Sequence, residues 1–159
     1  MIYVDLDGVL ADFGGAIQSR FNKSVDVMKP KEMWPRIMQW NRDIEPWFES
    51  LDKCKDADEL WSFVVNTYGL ENVAILTSAG TTPADAPQQK RRWVAKYFGP
   101  EVRVFVTSTS KEKAQYASDA AILIDDRKQC TEPFAKAGGR TILHKNAKNT
   151  IENLNMMVE

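Results

Sequence analysis

Five short runs that are apolar or β-branched almost throughout divide this chain: Ile2–Leu6, Val73–Leu76, Val102–Val106, Ala121–Ile124 and Arg140–Leu143. Near-continuous apolar character, rather than strict alternation, marks strands covered on both faces in a parallel sheet. Between the later runs the period lengthens. In Ala57–Tyr68 the residues Ala57, Leu60, Trp61, Val64, Val65 and Tyr68 follow helical i, i+3, i+4, i+7 spacing. Pro87–Phe98 does the same with Trp93, Val94, Tyr97 and Phe98, and Gly99-Pro100 then ends it. Shorter helices are predicted over Lys111–Ala117, Thr131–Ala137 and Asn149–Met157. Alternating strands and helices predict an α/β fold built on a doubly wound, parallel five-stranded sheet.

The spacing of the runs is uneven. The gap between the first and second is more than twice any later gap, too long for one crossover helix. A small helical cap is therefore expected after the first strand, over residues 14–55, with 1–13 and 56–159 forming the α/β core. Phe13, Ile17 and Phe21 share a helical face, and Trp34, Trp40, Trp47 and Phe48 follow. Pro30, Pro35 and Pro46 are expected to cut the segment into short pieces. Its aromatics read first as the means by which a small cap coheres.

Composition narrows the classes. The 159 residues suit one domain, and 43% hydrophobic with 27% charged is ordinary for a globular chain. With 21 basic against 22 acidic residues the net charge is −1, so no overall field favours a long nucleic acid or a membrane surface. No apolar run is long enough for a spanning helix, and Met1 leads directly into the first strand, so a cytoplasmic location is expected. Cys54 and Cys130 form no CxxC pair and read as unpaired thiols.

In open α/β sheets ligands bind beyond the carboxyl ends of the strands, and polar residues gather there. Asp5 and Asp7 end the first run, Thr77 and Ser78 the second. Thr107–Ser110, Lys111 and Lys113 follow the third, and Asp125-Asp126-Arg127 the fourth. Four carboxylates on one edge repel one another unless a cation lies among them. Hard oxygen donors without histidine favour Mg²⁺, so Asp5, Asp7, Asp125 and Asp126 form the candidate metal site.

The ordered set Asp5-Leu6-Asp7-Gly8-Val9, Ile75-Leu76-Thr77, Lys113 and Ile124-Asp125-Asp126 resembles the four motifs of haloacid-dehalogenase-superfamily phosphatases. Within them, DLDGVLADF, the cap position and LIDDR resemble the 5′(3′)-deoxyribonucleotidases, over roughly Met1 to Leu143. That resemblance implies a Mg²⁺-dependent phosphomonoesterase acting on (deoxy)nucleoside monophosphates. Asp5 would be the nucleophile and Asp7 the general acid and base. Thr77 would bind phosphate, and Lys113 would neutralise charge on it. The Asp5 carboxylate, the Asp7 carbonyl and Asp126 would hold the metal, while Asp125 orients Lys113 or a bound water. Phe13, Ser78 and Arg127 match substrate-contacting positions. Asp7 must enter the cycle protonated, and neighbours of like charge would favour that form. One departure stands out: Ser78-Ala79-Gly80 follows Thr77 where the family often has Ser-Pro, which bears on the pocket beside the sugar.

Other readings compete. Another small ester, or a polynucleotide 3′-phosphate end, would use the same chemistry. A phospho-acceptor signalling module also combines acids, a hydroxyl and a lysine, but in a different chain order and without a cap. Asp12 reads as a helix N-cap before Phe13. Lys111 rivals Lys113 for one role, and the resemblance of KAQYASDAAILIDD to the family's spacing between lysine and acidic pair favours Lys113. Lys90-Arg91-Arg92 reads as a solvated helix face, and His144 is given no chemistry.

Overall fold

A computed structural model describes residues 1–157. Its elements are β1 (Ile2–Val4), α1 (Phe13–Phe21), α2 (Pro30–Asp43), α3 (Ala57–Tyr68), β2 (Val73–Ser78), α4 (Ala86–Phe98), β3 (Val104–Thr107), β4 (Ile122–Asp125), α5 (Lys128–Lys136), β5 (Arg140–Leu143) and α6 (Ala147–Met157). Short 3₁₀ turns lie at Leu70–Asn72 and Lys111–Tyr116. The five strands form one sheet in the order β3-β2-β1-β4-β5, and every pairing is parallel. The fold is the expected α/β class. The inner strands bury both faces, β2 from Val73 through Thr77 and β4 throughout, whereas the edge strands β3 and β5 are largely half-buried.

β1 is central, with Ile2 opposite both Val73 and Ile122. The chain builds outward through β2 and β3, then crosses back over β1 to lay down β4 and β5. The strand order thus reverses beside β1, the place where open α/β sheets bind ligands beyond their carboxyl ends.

β1 is shorter than its apolar run. The Leu6 carbonyl accepts from the amides of Val9, Leu10 and Ala11, which closes a tight turn; Leu6 stays buried but leaves the ladder. The predicted helix at Lys111–Ala117 is a 3₁₀ turn ending at Tyr116. α5 starts three residues before its predicted start.

Residues 14–55 leave and rejoin the sheet side by side. Asp12 N donates to Asp52 O at 2.8 Å and Cys54 N to Leu10 O at 2.8 Å, a stem joining the two ends of the segment. Asp12 caps α1, its side chain accepting from Gly15 N at 3.0 Å. Pro30 opens α2 and Pro46 follows its end, but Pro35 lies inside an unbroken helix, contrary to expectation. The amide it lacks would have served the carbonyl of exposed Lys31, and burial of Met33 and Ile37 on either side of it holds the helix together. Ile17, Ile37, Trp47, Phe48 and Leu51 belong to the same continuous apolar cluster as Val4, Leu60 and Trp93, so the segment packs onto the sheet layer without a break. Among the described residues no helix is long and apolar enough to cross a membrane.

Candidate active site

The residues that end β1, β2 and β4 meet at the carboxyl edge of the sheet. Asp5 continues the β1 ladder, its amide donating to Ile124 O at 2.9 Å, and its carboxyl is nearly buried. Lys113 reaches it from the 3₁₀ turn after β3. The lysine Nζ donates to Asp5 Oδ1 at 2.9 Å and to Asp125 Oδ2 at 2.7 Å, and only 1% of Lys113 is exposed. Lys111 is exposed on the same turn, so the geometry separates the two rivals. Burial by itself would lower the Lys113 ammonium, but Asp5 and Asp125 outweigh it and hold the group above its ordinary value.

Asp125 uses both oxygens inside the protein, the second accepting from Arg127 N at 3.0 Å. Burial, and then the like charge of Asp5, pushes its carboxyl up to about 6 despite Lys113. Asp126 lies at the exposed rim, where surrounding protein and the charges of Asp5 and Asp125 push it up to about 8. Gly8, at φ +84°, makes room for it: a Cβ there would lie 2.7 Å from Asp126 Cγ, closer than real carbons approach.

Asp5, Asp125 and Asp126 each present an oxygen within 4.8 Å of the others. With both Asp125 oxygens engaged, Asp5 and Asp126 are the carboxylates left to hold a cation, and Asp125 positions Lys113. The donors are all hard oxygens, which suits Mg²⁺.

Asp7 meets a cation rather than like charge. Its Oδ2 accepts from Lys90 Nζ at 2.8 Å, and the same ammonium donates to Thr77 Oγ1 at 3.1 Å and to Ser78 O at 2.7 Å. Lys90 is only 2% exposed, so its reading as part of a solvated face is wrong. The signal was present: Lys90, Trp93, Val94 and Tyr97 stand at i, i+3, i+4 and i+7, which puts the lysine on the apolar face of α4. Arg92 does face outward, pairing with Glu49 at 2.6 Å. With all four carboxyl groups ionised, the two buried ammonium groups would leave this edge two negative charges in excess, the amount one divalent cation offsets; without a cation, Asp126 keeps its proton up to about pH 8.

Of the proposed substrate contacts, Phe13 opens α1 half-buried. Its ring stacks on Phe48 at 6.2 Å and meets Trp47 at 6.0 Å and Trp34 at 6.4 Å. Phe48 in turn lies 4.6 Å from Lys90 Nζ, so the aromatic wall adjoins the groups around Asp7. The Ser78 hydroxyl is engaged with Thr107 Oγ1 at 2.9 Å and Thr109 O at 3.2 Å. Arg127 is exposed just before α5. His144 is buried, its Nδ1 bonded to Thr150 Oγ1 at 2.7 Å and its amide donating to Asp125 O at 2.8 Å.

The family model described as 5′ nucleotidase, deoxy (pyrimidine), cytosolic type C protein matches residues 1–155. The chain belongs to that family. It is accordingly a phosphoric monoester hydrolase of the haloacid-dehalogenase-like type, which sets the signalling alternative aside. No curated protein sequence matches it. Two solved structures share the nucleotidase's fold. One is a HAD family hydrolase from Deinococcus radiodurans R1, solved with bound phosphate and sodium. It has 13% identity and a TM-score of 0.51, and the match covers 88% of this chain and 78% of that one. The other is a hydrolase from Streptococcus pneumoniae TIGR4, with 14% identity and a TM-score of 0.52 over 97% of both chains.

Proposed function

We propose that the nucleotidase is a Mg²⁺-dependent phosphomonoesterase that dephosphorylates (deoxy)nucleoside monophosphates through an aspartyl-phosphate. The observation that carries this reading is the buried Asp5–Lys113–Asp125 arrangement beside Asp126 at the sheet's switch point. Asp5 and Asp126, with the Asp7 carbonyl, would hold Mg²⁺, which when bound supplies charge neutralisation for the phosphoryl group.

The chain's own residues carry the steps. An Asp5 oxygen forms a bond to phosphorus as the ester P–O bond breaks. Asp7 passes a proton to the departing ester oxygen, then takes one from the water that cleaves the aspartyl-phosphate. Lys113 stabilises negative charge on the transferring group. Thr77 supplies a hydroxyl to a phosphate oxygen. Residues 14–55 act as the cap, with Phe13 and Phe48 as the wall for base or sugar, and Ser78 and Arg127 at its margin.

Phosphate release across deoxynucleotides, ribonucleotides and sugar phosphates tests the reading. Turnover is expected on the deoxynucleotides with Mg²⁺ and none with chelator. Asp5→Asn should lower turnover by at least about 10⁴-fold, as loss of a nucleophile does. Steady turnover from that variant would remove the nucleophile assignment. Including 3′-phosphorylated oligonucleotides in the panel tests the polynucleotide alternative. Their preference over mononucleotides would make a polynucleotide end the substrate.

A further inference from the structure

We propose that Lys90 is the positioning residue for Asp7, fixing one carboxyl oxygen so that the other exchanges protons with the leaving group and with water. The inference rests on the roles given above to Asp5 and Asp7. An ammonium has three hydrogens and no acceptor capacity, and Lys90 has three acceptors in reach: Asp7 Oδ2, Thr77 Oγ1 and Ser78 O. Nothing in that geometry leaves the group in water. Most lysines run their stems along the surface and keep the charge solvated; this one ends inside the protein.

The two oxygens of Asp7 are unequal. Oδ2 is held by Lys90, whereas Oδ1 is closed off from solvent and has no hydrogen-bond partner among the described residues. An unpaired buried carboxylate oxygen is costly. The cost is offset if a group of the substrate, or the hydrolytic water, reaches this oxygen and becomes its partner when the site is occupied. Proton transfer then has one defined address, Oδ1, set by the bond to Oδ2.

The anchor is stiff. Lys90 lies on α4 and points its charge across the face of Phe48. The neighbouring Gln89, also buried, accepts from Phe48 N at 2.8 Å and donates to Asn41 Oδ1 at 2.9 Å. Trp93, one turn on, donates to Leu51 O at 2.7 Å. One helix face therefore sets both where the aromatic wall stands and how Asp7 is turned. Arg would not fit the same role, since its planar fork cannot address these three acceptors as a compact ammonium does.

Leaving-group chemistry tests the proposal on the full chain with Mg²⁺. A deoxynucleoside monophosphate expels a basic alkoxide that needs a proton, whereas 4-nitrophenyl phosphate expels a weakly basic phenolate that does not. Lys90→Met is expected to lower kcat on the nucleotide about 100-fold, with KM changed by less than about threefold, as displacement of an acid–base group predicts. With 4-nitrophenyl phosphate it should still give a burst near one equivalent, followed by slow turnover, because only hydrolysis of the aspartyl-phosphate then lacks its base. Lys90→Ala should recover part of its nucleotide activity on addition of small alkylammonium ions. Asp7→Asn and Asp7→Asn/Lys90→Met should have equal rates, since Lys90 acts through Asp7.

Loss of the burst together with a raised KM would overturn the proposal and make Lys90 a phosphate contact. Independent, multiplying losses in the double variant would also overturn it. Turnover of Lys90→Met within threefold of an active wild type on both substrates sinks the Lys90 inference alone. A wild-type protein inactive on both substrates sinks the reading of Asp5 and Asp7 on which it stands.

Discussion

Two regions of this nucleotidase bury a cation, and they do so by opposite means. At the sheet edge Lys113 lies between two carboxylates, which hold its ammonium above the ordinary value. In the inserted segment Arg20 lies between the rings of Trp40 and Trp47, 4.9 and 4.8 Å from their centroids, with Glu45 at 3.9 Å. There burial dominates, and the guanidinium is held below its ordinary value. The sheet edge is organised by mutual charge, where each group leaves another unpaired if removed. The segment is organised by apolar rings whose attraction is non-directional and shared among many contacts. The proposed chemistry belongs in the first kind of region because a fixed field is what a transferring phosphoryl group needs.

The largest expected effect follows from breaking that charge balance. Lys113→Met would leave Asp5 and Asp125 buried and facing each other, and removing one partner of a buried charge cluster costs about 3–5 kcal/mol. Urea unfolding in chelator should show a loss of that size, and Mg²⁺ should narrow it by supplying the missing positive charge. A loss under about 1 kcal/mol in chelator would mean that the sheet edge is no more interdependent than a surface ion pair.

A smaller effect reads the same charges through pH. Asp126 and Asp125 lie at about 8 and about 6, against an ordinary 3.8. The folded chain therefore binds more protons than the unfolded chain above about pH 4, and stability falls as pH rises toward about 8. His144, held by burial below its ordinary value, acts in the opposite direction below about pH 6.5. The informative quantity is thus the difference between Tm in chelator and Tm in Mg²⁺, from which His144 cancels. That difference should widen as pH rises, because protons compete with the cation for Asp126. At a Mg²⁺ concentration of 100 Kd the stabilisation would reach about 2.7 kcal/mol. A difference that does not change with pH would remove Asp126 from the cation site.

The contrast also explains what the sequence showed. The strands were legible because a strand covered on both faces leaves an unbroken apolar run, as in Val73–Leu76. Asp5, Thr77, Lys113, Asp125 and Asp126 were legible as a group because one sheet edge gathers residues that sit just after strands. Lys90 was not, although its helical phase pointed inward, because a lysine beside two arginines reads as a surface triplet; only the three-dimensional approach of Asp7 and Ser78 shows what receives its charge. The unbroken α2 was hidden for a related reason. A proline's local cost at position 35 is visible in the chain, while the burial of Ile37 that offsets it is tertiary.

The smallest effect should come from the aromatic region, and it sharpens the comparison most. Phe21 stacks on Trp47 at 5.4 Å and meets Trp40 edge-on at 6.0 Å, with the Arg36 guanidinium 5.6 Å from its ring centroid. Phe21→Leu keeps an apolar side chain of similar reach and removes only ring-specific attraction and a little volume. Such swaps cost about 1 kcal/mol, because neighbouring rings and the flexible arginine can settle into the space. No group that touches Asp5 or Asp7 moves, so kcat on a deoxynucleotide should stay within about twofold, an energy change of roughly 0.4 kcal/mol. Chemical denaturation and steady-state kinetics on one preparation check both halves. A tenfold fall in kcat with stability intact would show that the segment transmits its packing to the catalytic edge through Phe48 and Lys90, and that the two regions work as one.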